Sequence, residues 1–253
     1  MKVLLLIIFS ESDIYNNMLN IQKKYIHDNE NIDVFFVTLS EKYVENIVII
    51  EDVIYVKGIE SYTNILYKSI EALDYLRKVT SIKYDYVVRS NISTIIMLNN
   101  LYNFLLNCER HNIYTGGVVE TLTWQLQSFE VSEEKQMCRN DYYGLKYIQG
   151  IGIIMSYDVV ESILNMKHII CYNIVDDVKL GIIIREHFPN IYRSIVLNTI
   201  SIAKTSYNHF ELEAIFIRNK MQERKLDVHN MMLHISKIKE IQYINYLSNG
   251  HYI

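Results

Sequence analysis

Proline is almost missing from this chain: Pro189 stands alone among 253 residues, and glycine occurs only eight times. So small a supply of both excludes Pro- or Gly-rich linkers and argues against a repeat array. Cysteine is as scarce. Cys108, Cys138 and Cys171 lie far apart, with no zinc-knuckle spacing. An odd, sparse set argues against a disulfide framework and suits a reducing compartment. Positive charge is not in excess either: 25 Lys and Arg stand against 29 Asp and Glu, a net charge of −4. The basic residues are spread along the chain, so nothing marks an electrostatic footprint for nucleic acid. No apolar run approaches the ~20 residues of a membrane helix, and no membrane span is expected. The opening run from Val3 to Phe9 is short, and Ser10-Glu11-Ser12-Asp13 is a poor cleavage region, so a buried strand is expected there rather than a signal peptide. These absences point to a soluble, cytoplasmic chain without internal repeats or low-complexity segments.

What is present is apolar residue in quantity. Half of the chain is hydrophobic, enough for a sizeable core in one large domain or two small ones. Tyrosine is abundant (21 residues), and Ile and Asn are frequent, which reads as the composition of an AT-rich genome.

Continuous apolar runs and helical stripes alternate. Val3 to Phe9 and Ile32 to Leu39 have the pattern of strands covered on both faces. Between them Asp13 is placed to cap a helix with the stripe Ile14, Met18, Ile21 and Tyr25. Ile47 to Ile50 is short and apolar, and Val53 to Val56 makes a better strand. Tyr62, Ile65, Leu66, Ser69, Leu73 and Leu76 share a helical face. Tyr84 to Val88 is a strand, Leu98 to Leu106 a helix, and Asn112 to Thr115 a strand closed by Gly116-Gly117. This alternation predicts an α/β fold with a mostly parallel sheet between helices. Residues 120 to 146 are polar and irregular, as in a functional loop, and contain Trp124. Tyr147 to Ser156 reads as one strand interrupted by Gly150 and Gly152. Asp158 to Met166, Val178 to Glu186 and Asp227 to Leu247 are helical, giving a helical C-terminal part.

Three groups carry chemistry. After the Tyr84 to Val88 strand comes Arg89-Ser90-Asn91-Ile92-Ser93-Thr94, a polar cluster where open α/β sheets place ligands. At the start of a helix stand Asp176 and Asp177. Adjacent carboxylates there are either caps on free N–H groups or a general base, and both hold if Asp176 caps while Asp177 points into a cleft. His209, Arg218, Lys220 and Arg224 are either solvated surface charge or a set able to neutralise a diphosphate. Gly150-Ile151-Gly152 lacks the third glycine and the helix of a dinucleotide fingerprint, and suits a bulged core strand.

In order, these segments carry a resemblance. Glu60-Ser61-Tyr62-Thr63-Asn64-Ile65-Leu66-Tyr67-Lys68-Ser69, Tyr84 to Ser90, Tyr114-Thr115-Gly116-Gly117, Gly150-Ile151-Gly152 with Ser156, and Asp176-Asp177-Val178 with Gly181 resemble the blocks of the β-1,3-galactosyltransferase and fringe-like glycosyltransferases of GT-A fold. The match covers most of residues 55 to 190. The resemblance implies a single GT-A domain over 1–253, with residues 1–117 as the nucleotide-sugar half and 118–253 as the acceptor and catalytic half. It implies an inverting enzyme that moves a sugar from a nucleotide donor, UDP-linked in the family, to a hydroxyl of a glycan or glycoprotein acceptor. Asp177 is the expected base, with Asp176 beside it. Arg89, Ser90, Asn91, Ser93, Arg218 and Lys220 are expected at the donor, and Trp124, Gly150 and Gly152 at the acceptor. The Asn and Ile richness resembles proteins of large DNA viruses, which would place the chain in a host cytoplasm.

One departure stands out. Where the family carries three successive aspartates, this chain has Asn91-Ile92-Ser93. Three arrangements are consistent with that: Mn²⁺ or Mg²⁺ held by Ser93, His209 and the diphosphate; a metal-independent enzyme using Arg218, Lys220 or Arg224; or an inactive relative that binds glycan or nucleotide. A nucleotidyltransferase on a related sheet is disfavoured, because no Gly-rich basic loop follows the first strand.

Overall fold

The structure, a computed structural model, describes residues 1–26, 30–123, 142–172, 174–193, 214–221 and 223–248. Trp124, Cys138 and His209 lie outside them.

The first strand explains why an unbroken apolar run can be a strand. In β1 (Val3–Ile8) every residue is buried, with exposures of 0–4%. Leu4, Leu6 and Ile8 enter one core, while Val3, Leu5 and Ile7 enter a second core on the other face. Helix α1 (Asp13–Tyr25) follows and returns the chain to β2 (Ile32–Ser40), which runs parallel to β1 from the register Val3↔Ile32. Strands β3 (Ile47–Ile50) and β4 (Val53–Lys57) form an edge hairpin. Helix α2 (Ile65–Val79) crosses to β5 (Tyr86–Asn91), which lies parallel to β1. After β6 (Thr94–Ile96) and α3 (Leu98–Leu106) come β7 (Tyr114–Gly116) and β8 (Val119–Thr121). Then follow β9 (Lys146–Ile148), β10 (Gly152–Ser156), α4 (Tyr157–Asn165), α5 (Asp176–His187), α6 (Pro189–Arg193), β11 (Phe216–Arg218) and α7 (Arg224–Ser248).

The main sheet has seven strands in the order β3-β4-β2-β1-β5-β10-β7. Its centre is parallel, and β10 enters antiparallel between β5 and β7. Residues of α2, α4 and α5 cover one face, among them Leu73, Ile163 and Ile184. Met18 of α1, Leu101 of α3 and Met231 and Ile235 of α7 cover the other. Each such side chain contributes roughly 1.5–3 kcal/mol on full burial. This is the expected α/β fold with helices on both faces.

Several boundaries differ from the sequence reading. Ser12, not Asp13, caps α1: its side chain accepts from the Tyr15 N–H at 3.4 Å, and Asp13 sits in the first turn. The strand expected from Asn112 begins at Tyr114, because Asn112 has a left-handed φ of 57° that extended chain excludes. Strand β5 runs on to Asn91 because its polar end still pairs with β1, Ile8 opposite Asn91. The run from Tyr147 to Ser156 is two strands rather than one. β9 pairs with β8, β10 joins the main sheet, and the chain turns at Gln149-Gly150-Ile151. At Asp176 the capping reading fails. Val175 occupies the cap position without a side-chain bond, and Asp176 is already inside α5.

Candidate active site

The site lies outside the carboxyl ends of β1 and β5. A cavity of about 600 Å³ opens there, lined among others by Phe9, Ser10, Tyr15, Glu60, Tyr62 and Lys68. Asn91, Ile92, Ser93, Arg218, Lys220 and Arg224 complete its wall. The segment after β5 turns into it because its backbone is satisfied from behind. Buried Gln22 donates to the carbonyls of Ile92 (3.2 Å) and Thr94 (2.7 Å). The Asn219 N–H donates to the Ser93 carbonyl at 2.9 Å.

The cationic wall comes from the C-terminal part. Strand β11 pairs with β6 so that Arg218 stands opposite Thr94, and its Nη1 donates to Thr94 Oγ1 at 3.2 Å. Arg224 at the start of α7 pairs with Asp227 and donates to the Asn219 carbonyl at 3.3 Å. Its guanidinium lies 5.6 Å from the centroid of the Tyr15 ring. Asp227 is fully buried and also accepts the Met221 N–H at 2.7 Å, which fixes the turn carrying Lys220. Burial, and then the neighbouring charges of Arg224 and Arg89, pull the Arg218 pKa down to about 10. Arg218, Lys220 and Arg224, far in sequence from Asn91 and Ser93, therefore share one cavity with them.

Glu60 and Lys68 also face this cavity, and the sequence reading gave neither a role. Lys68 is fully buried; its Nζ donates to Glu60 Oε1 and to the Phe9 carbonyl, both at 2.6 Å. Burial lowers its pKa despite Glu60. Glu60 further accepts from Leu39 N (2.8 Å), Thr38 Oγ1 (3.1 Å) and Ser10 Oγ (3.1 Å), so it ties together the ends of β1 and β2. Lys68 lies off the apolar stripe of α2, so periodicity gave no sign of its burial, which a lysine sustains only with partners such as Glu60.

The carboxylate pair, Asp176 and Asp177, is not among the residues that line this cavity. Arg89 is 3% exposed; it pairs with Asp176 and donates to the Gly150 carbonyl at 2.5 Å. Ser90 Oγ donates to the Ile151 carbonyl at 2.5 Å. Both side chains thus brace the turn between β9 and β10 and do not line the cavity. Asp177 accepts the Val178 N–H at 2.8 Å and the Gly150 N–H at 3.1 Å. Burial first, and then the charge of Asp176, push its pKa up to about 6. The outcome is a carboxylate held in one orientation and poised near neutral pH.

The close approaches at the site glycines are made by the protein itself. A Cβ on Gly150 would lie 2.3 Å from Arg89 Nη1, and one on Gly152 would lie 2.4 Å from the Phe216 ring. Gly116 is tighter still, 2.1 Å from the Gly152 carbonyl oxygen.

A hard divalent ion prefers charged oxygen ligands. Asn91 and Ser93 offer only neutral ones, and Glu60, a carboxylate of the cavity wall, is committed to Lys68 and three further donors. Among the described residues no group of three His, Cys, Asp or Glu could hold a metal ion. These residues do not fit a Mn²⁺ or Mg²⁺ centre.

An α/β sheet with an antiparallel strand inserted beside β5 and a cavity at its carboxyl edge has the arrangement of the GT-A fold of glycosyltransferases. The family model described as galactosyltransferase matches residues 27–188, and the chain belongs to that family. Among solved structures it is similar to a glycosyltransferase involved in the glycosylation of the major capsid of PBCV-1. That match has 13% identity over 92% of this chain and 100% of the other, with a TM-score of 0.50. A galactosyltransferase, LgtC, in complex with donor and acceptor sugar analogs is similar at 11% identity, over 94% of this chain and 96% of the other, with a TM-score of 0.39. No curated protein matches the sequence. Among the described residues no helix is long and apolar enough to cross a membrane.

Proposed function

We propose that this galactosyltransferase-family enzyme is an inverting transferase that takes its sugar from a nucleotide donor, UDP-linked, and delivers it to a hydroxyl of a glycan or glycoprotein. The cavity between Ser10, Asn91, Ser93 and the Arg218-Arg224 segment receives the donor. Asp177 is the base. Its carboxylate removes the proton of the acceptor hydroxyl while that oxygen bonds to the anomeric carbon. The bond from that carbon to the diphosphate breaks on the opposite side, the nucleoside diphosphate leaves with the electron pair, and configuration inverts. Arg89 and Asp176 position the turn that orients Asp177.

The observation that carries this reading is the Asp177 carboxylate, fixed by two backbone N–H groups, with a pKa pushed up to about 6. The test is nucleotide release from a panel of UDP-, GDP- and TDP-sugars with candidate acceptors. Asp177→Asn is expected to lose at least about 100-fold in turnover while still binding donor nucleotide. Full turnover by that variant would remove Asp177 from its role. A folded wild-type protein that releases nucleotide from no donor would favour a catalytically inactive glycan- or nucleotide-binding protein, a reading that the replaced carboxylates at Asn91 and Ser93 also motivate.

A further inference from the structure

The donor site just proposed lacks the carboxylates that would recruit a divalent ion, yet it is not short of positive charge. We infer that the protein binds the diphosphate of its donor directly, through Arg218, Lys220 and Arg224, and that these side chains take the place of a metal ion. The inference rests on the cavity being the donor site.

Four observations carry it. The cavity wall holds four cationic side chains, Lys68, Arg218, Lys220 and Arg224, against the single carboxylate of Glu60, in a chain of net charge −4. Lys68 is neutralised by Glu60 and Arg224 by the buried Asp227, which leaves Arg218 and Lys220 as the cations of the wall without a carboxylate partner among the described residues, on the same C-terminal stretch as Arg224. Arg218 is incompletely satisfied: its Nε is buried without a partner, and its described bond goes only to the neutral Thr94 hydroxyl. Arg218 is also largely cut off from water, and burial first, then the nearby charge of Arg224, disfavours its charged form. Like charges gathered in a partly dry cleft are destabilising until an anion arrives. A diphosphate supplies several oxygens for charge-assisted bonds to a guanidinium and an ammonium. Asn91 and Ser93, opposite, can donate an amide N–H and a hydroxyl to the same oxygens, which carboxylates could not.

The direct test is UDP binding to the full chain, by calorimetry, in EDTA and again in excess Mn²⁺, with GDP and TDP measured in parallel. UDP is expected to bind in EDTA, with an affinity changed less than about twofold by Mn²⁺. Lys220→Ala is the variant of choice because Lys220 is exposed and its removal leaves the core intact. It should weaken UDP about tenfold and UMP less, the ratio expected when a charge-assisted bond to the terminal phosphate is lost. Arg224→Gln should act in the same direction. UDP binding that appears only when Mn²⁺ is added would overturn the inference and leave the donor site standing. Equal affinity of wild type and Lys220→Ala for UDP would also overturn it. Absence of binding by UDP, GDP and TDP in both conditions would remove the donor reading itself.

Discussion

For Asp177, the base of the proposed transfer, one buried carboxyl group links catalysis to stability. Its folded pKa, about 6, lies above the ordinary value of 3.8, so the folded chain holds more protons than the unfolded one between those limits. Stability from this group is therefore present in acid and is lost as pH rises towards 6. Asp177→Asn abolishes that linkage. From pH 4.5 to 7.5 the stability difference should move in the variant's favour by about 2 kcal/mol, read from urea unfolding at each pH. A flat difference would contradict the raised pKa. Turnover of the wild type should show the opposite trend, falling about tenfold per pH unit below about 6 as the base is protonated. The position of Asp177 in the first turn of a helix, beside a second acid, was legible in the sequence. Its partner Gly150 was not, because the contact crosses 27 residues and depends on a turn that strand periodicity hid.

At the scale of elements, α5 must come close to β9 to bring Asp177 against that turn. Gly181 permits the approach: a Cβ there would stand 2.6 Å from Tyr147 Cβ and 3.3 Å from the Lys146 carbonyl. Alanine would gain about 1 kcal/mol of helix propensity and lose more to overpacking. Gly181→Ala should cost about 1–2 kcal/mol in denaturant unfolding and lower turnover as well, since the displaced helix carries the base. A variant as stable and active as the wild type would show that the contact is slack. The helices and buried strands were readable from periodicity, and α3 spans Leu98–Leu106 as the pattern indicates. The split of Tyr147 to Ser156 was not, because β9 and β10 are both apolar and only their different partners separate them.

At the scale of the molecule, the segments before and after residue 117, expected to serve donor and acceptor, interlock. Strand β10, from the second half, is zipped between β5 and β7 of the first, with Ser156 opposite Tyr86. Ala214, Phe216, Met231 and Ile238 close the core formed by Val3, Leu5 and Ile7. Residues before 117, from Val3 to Leu105, supply most of that core, and the later residues complete it. Urea unfolding should thus be a single transition, coincident by near- and far-UV circular dichroism. Two separated transitions would mean that the halves are independent domains. The alternation of strands and helices announced the sheet, whereas the pairing of β11 with β6 in a second, two-stranded sheet is a long-range contact that no local pattern encodes.

One residue, Gly150, donates its N–H to Asp177 and accepts from Arg89 at its carbonyl. Asp177 and Arg89 are therefore spaced by a single residue, while the cationic wall belongs to a separate stretch that includes Arg218, Lys220 and Arg224. On the proposed function, substitutions in that stretch should change donor affinity and leave the hydrogen bonds that hold Asp177, from Gly150 and Val178, in place. Donor binding and proton removal would then be tunable one at a time.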